Sequence, residues 1–233
     1  MSGLTIEVLR KDIKHLHLAV YPPAGRVRVA APRSTSDETL RLAVIDKLGW
    51  IKRQRLRFDG QVRQTQREMV TGESHFYLGR RYRLRVVHTD GPAQVRICGS
   101  SIIQLAAGKH LDASQRLEVL QRWYRKQLRE LVPPLLTRWE KKTKLKASDW
   151  RIKRMRTRWG TCSTHAGRIW LNLELAKKPV ECLEYIIVHE LVHLVERHHN
   201  VRFMALMDRH MPKWRLYKEM LNAAPLAHEE WRY

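Results

Sequence analysis

The sequence predicts an α+β chain in two parts: a β-rich N-terminal lobe of residues 1–110 with one helix, and a helical lobe of residues 111–233 carrying a small antiparallel sheet. Three observations predict this. Up to about residue 110, β-formers cluster in short runs punctuated by Pro22-Pro23-Ala24-Gly25, Asp90-Gly91-Pro92 and Gly99. From Asp112 the apolar spacing changes to three- and four-residue steps, as in Leu117, Leu120, Tyr124, Leu128, Leu131 and Leu135. A chain of 233 residues is also long enough to bury a sizeable core.

Leu4 to Leu9, Leu16 to Tyr21 and Arg26 to Ala30 read as strands of a hairpin-like meander. Ser34 or Ser36 caps a helix with Asp37 and Glu38 in its first turn, running to about Phe58, and Asp59-Gly60 ends it. The polar stretch to Gly72 reads as loop, and Phe76-Tyr77, Tyr82 to Val87, Ala93 to Cys98 and Ser101 to Ala106 as short strands. Asp112 or Ser114 opens a long amphipathic helix that Pro133-Pro134 breaks or kinks, with a second piece to about Lys146. Trp150 to Gly160 and Arg168 to Leu173 read as two strands joined near His165-Ala166-Gly167. Pro179 opens another helix, followed by two closing helices, Val201 to His210 and Pro212 to Asn222.

The chemistry concentrates in the helix after Pro179, which reads Ile186-Ile187-Val188-His189-Glu190-Leu191-Val192-His193-Leu194. His189 and His193 are four residues apart, so their imidazoles share one helix face, one turn apart. That geometry lets two neutral imidazoles hold one tetrahedral Zn²⁺, with Glu190 adjacent as a general base for hydrolysis by metal-activated water. Leu183, Ile186, Ile187, Leu191, Leu194 and Val195 give the segment an apolar surround, and burying His189, Glu190 and His193 there without partners would cost several kcal/mol. A third ligand is expected from His198 or His199; the gap from His193 to His199 is the one used by zinc peptidases with a third histidine after a turn. With no glycine at 194–198 to help the chain double back, Asn200 is the residue that best tolerates a left-handed backbone. The same ligands would also accept Co²⁺, Ni²⁺ or Mn²⁺.

The chain has 45 Lys and Arg against 23 Asp and Glu, a net charge of +22, which calls for an acidic partner. Residues 121–159 hold 14 basic and three acidic residues interleaved with Trp123, Tyr124, Trp139, Trp150 and Trp159, a pattern that fits single-stranded nucleic acid as well as a core helix with a solvated basic face. Cys98, Cys162 and Cys182 are odd in number with no C-x-x-C pair, which fits three free thiols in a reducing compartment. No apolar run reaches the roughly 18 residues a membrane span needs. Glu7, Arg10 and Lys11 stand where a signal peptide would be apolar, so a cytoplasmic protein is expected.

Further motifs stand upstream of the metal helix: Arg158-Trp159-Gly160-Thr161-Cys162, then Arg168-Ile169-Trp170-Leu171-Asn172; downstream comes His199-Asn200-Val201-Arg202-Phe203. Together with Val27 to Pro32, Trp50 to Gln54 and Tyr77 to Leu84, they make the chain resemble the YgjP-like metallopeptidase domain family over nearly its whole length, a family related to the SprT-like zinc peptidases and minimal gluzincins. The resemblance departs from the usual family text where His198, Asn200 and Val201 replace Asn, Ser and Pro, and it places the third histidine at His199. It implies a zincin-like catalytic lobe, zinc held by His189, His193 and His199, Glu190 as catalytic base and a polypeptide substrate. It also implies that the Arg168–Asn172 strand offers an exposed edge near the cleft, with Arg158, Trp159, Arg168, Trp170 and Asn172 in substrate binding. Two other functions fit the charge: hydrolysis of nucleotide or nucleic-acid phosphates, and a nucleic-acid-bound peptidase of SprT-like type.

Overall fold

The computed structural model describes residues 4–21, 25–59, 68–155 and 158–223. Its architecture is α+β with three small mixed sheets. The described residues fall into two compact units, within 1–66 and within 67–224.

In the smaller unit, β1 (Ile6–Lys11), β2 (His17–Tyr21) and β3 (Arg26–Pro32) form a sheet in the order β1-β3-β2. The expected meander is therefore rearranged: β3 is central, parallel to β1 and antiparallel to β2. Alternation turns Val27, Val29 and Ala31 of β3 inward onto Leu40, Val44 and Ile51. Ser36 caps the first helix, its Oγ accepting from the Thr39 N–H at 3.2 Å. The single helix expected to Phe58 is two, α1 (Asp37–Asp46) and α2 (Leu48–Asp59), because Lys47 leaves helical geometry at φ −96° and ψ 3°.

The larger unit opens with β4 (Ser74–Tyr77), β5 (Arg80–His88), β6 (Gln94–Cys98) and β7 (Ile102–Ala107) in the order β4-β5-β7-β6. Helix α3 (Ala113–Thr143) follows; Asp112 caps it, accepting from the Gln115 N–H while the Gln115 side chain accepts from the Asp112 N–H. Pro133 and Pro134 do not end this helix. Both are exposed, so the carbonyls they leave unpaired face water, while Leu128, Val132, Leu136 and Trp139 continue one buried stripe on the opposite side.

The strand expected from Trp150 to Gly160 is also divided, into β8 (Asp149–Lys153) and β9 (Gly160–Ser163), with β10 (Arg168–Asn172) between them. This sheet is mixed rather than antiparallel, since β8 runs parallel to β10. After a tight helical turn at Leu173–Lys177 come α4 (Val180–Val192), α5 (Val201–His210) and α6 (Trp214–Ala223). One core joins strands and helices, including Leu84, Leu105, Leu128, Ile169, Leu171, Ile187 and Leu191; the boundary expected near residue 110 lies within this unit. Of the five interleaved aromatics, Tyr124 and Trp139 belong to that core, and Trp123, Trp150 and Trp159 are partly buried against it. Among the described residues no helix is long and apolar enough to cross a membrane.

Candidate metal centre

Helix α4 is almost wholly enclosed: Cys182, Leu183, Tyr185, Ile186, Ile187, Val188, Leu191 and Val192 are all buried. Its start is fixed from the N-terminal strands. Leu78 and Gly79 have φ of 47° and 79°, the two positive values of a tight I′ hairpin turn between β4 and β5. Their N–H groups donate to Ala176 O at 2.9 Å and Lys177 O at 3.2 Å, and a Cβ on Gly79 would meet Pro179 Cγ at 2.8 Å. The hairpin thus seats against the residue that caps the metal helix.

The helix ends at Val192, and the chain doubles back through bonds from Leu194 N–H to Leu191 O and from Glu196 N–H to Val192 O, at 3.0 and 2.9 Å. Asn200, the nearby residue that best tolerates a left-handed backbone, is extended instead (φ −91°, ψ −173°), and it caps α5 by accepting from the Phe203 N–H. This reversal brings His199 back over the helix. The Nε2 atoms of His189, His193 and His199 stand 3.1, 3.1 and 3.0 Å apart. Three nitrogens at 2.0–2.1 Å from one tetrahedral ion would be about 3.3 Å apart, so the triangle fits a zinc-sized cation. The Glu196 carbonyl can only accept, so His193 Nδ1–H donates to it at 3.0 Å and the Nε2 lone pair is left for a ligand. His189 Nδ1 is buried without a partner, a desolvation cost that an ion on its other nitrogen would offset. Phe203 closes one side, its ring centroid 4.7–5.0 Å from all three imidazoles.

Burial, with the nearby charges of His193, His199 and Lys218, pushes His189 down to about 3, so it is a neutral donor at physiological pH. His199 is lowered for the same reasons, burial first. Glu190 is 3% exposed, and burial pushes its carboxyl up to about 8, partly countered by Arg158. A Cβ at Gly160 would strike Glu190 Oε1 and lie 2.8 Å from Ile186 Cγ2, so only glycine lets β9 lie this close to the carboxyl group. Cys162 sits in the same wall with its thiol raised to about 11 by burial and by Glu190, a protonated packed group rather than a thiolate. The histidines and Glu190 open on a cleft of about 950 Å³ bounded by β9, α4 and α6.

A family model, YgjP-like metallopeptidase domain, matches residues 14–224. The chain belongs to that family. No curated protein matches the sequence. Among solved structures, a metallopeptidase zymogen of Pyrococcus abyssi, abylysin, is similar at 25% identity over 38% of this chain and 87% of that one, with a TM-score of 0.35.

In this YgjP-like chain, Arg158 and Trp159 line the cleft, and Lys178 supports the indole of Trp159 with its Nζ 5.3 Å from the ring. Arg168, Trp170 and Asn172 do not line it. Arg168 Nε donates to Asp149 Oδ2 at 2.7 Å, and Trp170 sits beside Arg151 and Lys153, whose charged centres are 5.7 and 5.9 Å from its ring. Asn172 is buried and works as a clamp: its Nδ2 donates to Met155 O and Arg158 O, both at 2.7 Å, which holds the approach to β9. The expected free edge on β10 is absent, because β10 is the central strand; among the described residues the strand with an unpaired edge at the cleft is β9. Tyr185, Lys218 and Asn222 also line the cleft and were not singled out from sequence. Only the apolar-versus-polar face of the last helix could have pointed to Lys218 and Asn222, and it says nothing of what that face meets.

Proposed function

We propose that this metallopeptidase is zinc-dependent, with His189, His193 and His199 holding the ion and Glu190 acting as general base in peptide-bond hydrolysis. The observation that carries this reading is the convergence of three ring nitrogens, 3.0–3.1 Å apart, beside a buried carboxyl group. Zinc so held would activate water and polarise a substrate carbonyl. Glu190, packed beneath Gly160, would accept a proton from the attacking water and deliver it to the leaving amine. The unpaired edge of β9 would align an extended peptide across the cleft by main-chain hydrogen bonds. Arg158 and Trp159 would contact that peptide, while Asn172 would serve by fixing the segment that carries them.

Elemental mass spectrometry on the purified protein, followed by digestion of unfolded casein with and without chelator, tests the proposal. About one zinc per chain and chelator-sensitive cleavage, lost in Glu190→Gln, is expected. Cleavage that survives in Glu190→Gln would overturn the assignment of the base.

A further inference from the structure

The charged groups around the metal cleft are unbalanced. Arg158, Arg197 and Lys218 line it, and Glu190 is the one carboxylate among its lining residues. The three cations come from separate elements: the segment before β9, the turn beyond α4, and helix α6. All three are exposed, and among the described residues none of them makes an ion pair, whereas nearby Arg202 and Arg215 are matched with Glu196 and Asp208. Among the described residues, exposed cations without an ion pair occur elsewhere on this basic chain, Lys142, Arg209 and Lys213 being examples; what marks Arg158, Arg197 and Lys218 is that they converge on the cleft. Their fields reach the reacting groups, since Arg158 acts on Glu190 and Lys218 on both His189 and His199. Neutral histidine ligands would leave the full charge of a bound dication unneutralised, which adds to the positive potential.

We propose that the cleft selects polypeptides with acidic side chains on both sides of the scissile bond, and that Arg158, Arg197 and Lys218 are its specificity-determining cations. This rests on the peptidase reading above. The dispersal of the cations over three elements favours charges spread along an extended chain over one compact multiply charged group. A bound acidic peptide would pair with cations that are otherwise solvated, at the rim of a low-dielectric cleft where complementarity raises encounter rate and specificity. A neutral peptide of the same shape gains none of this.

The test uses two quenched fluorogenic peptides of one length, identical except that glutamates flanking the cleavable bond in one are glutamines in the other. With the zinc-loaded full chain, kcat/KM for the glutamate peptide should be roughly tenfold higher at low salt. That preference should shrink to about twofold in 0.5 M salt and in the triple variant Arg158→Gln/Arg197→Gln/Lys218→Gln. Binding to the Glu190→Gln protein, followed by fluorescence anisotropy, should show the same order of preference without turnover. If neither peptide is cut, the peptidase reading fails, and the anisotropy arm still decides the charge preference. Equal binding of both peptides, or a preference that the triple variant retains, overturns the proposal. So does a nucleoside triphosphate that binds the cleft while the two peptides bind alike, since the cations would then read phosphate.

Discussion

Three imidazole nitrogens within 3.1 Å of one another stand beside one buried carboxyl group, and the proposed chemistry rests on them. His199→Ala should weaken zinc by at least about 100-fold, and His198→Ala by much less, in competition with a chromophoric chelator. The reverse order would move the third ligand to His198. Glu190 makes a second prediction through its pKa, pushed up from 4.5 to about 8 in the metal-free fold. Between those values the folded chain keeps a proton that the unfolded chain has released, so stability falls as pH rises through that window. Glu190→Gln removes this cost. It should stabilise the metal-free protein at pH 8 by roughly 4 kcal/mol and change it little at pH 4.5, as read by thermal melts. Equal shifts at both pH values would show that burial is not what perturbs the group.

At the scale of elements, small contacts decide where the metal helix lies. Gly79 combines a φ of 79° with a missing Cβ that would press on Pro179, so Gly79→Ala should cost roughly 1–3 kcal/mol in urea unfolding. Asn172→Ala removes the clamp between β10 and the approach to β9, leaving two carbonyls, of Met155 and Arg158, without that donor. It should lower stability by roughly 2–3 kcal/mol and reduce kcat more than zinc content. A normal kcat would mean that the segment is held without it. Helix α3 shows the opposite balance, in which two prolines are tolerated because one continuous buried stripe flanks them and their freed carbonyls meet solvent.

Across the molecule, all three clustered histidines belong to the larger unit, whose single core runs from Met69 to Leu221. Zinc at about 100 times its dissociation constant should stabilise that unit by roughly 2.7 kcal/mol. Hydrogen exchange should then show α4 and α5 losing protection on chelation while β3 in the smaller unit is unchanged; loss in β3 as well would mean that the two units unfold together. The helix carrying His189 and His193, the approach of His199 to them and most strands were legible in the sequence, because each depends on local spacing, a cap or a short motif. Four things were not: the central positions of β3 and β10, the splitting of Trp150 to Gly160 into two strands, the continuity of α3 through Pro133-Pro134, and the arrival of Lys218 at the cleft. Each of these depends on which distant surface a segment is pressed against, and local spacing holds no record of that. The sequence by itself determined the residue types at the candidate site and the helical phase of His189 and His193. Only tertiary packing decided which strand offers its edge and which cations line the cleft, since pairing and charge environment are set by contacts between residues far apart in the chain.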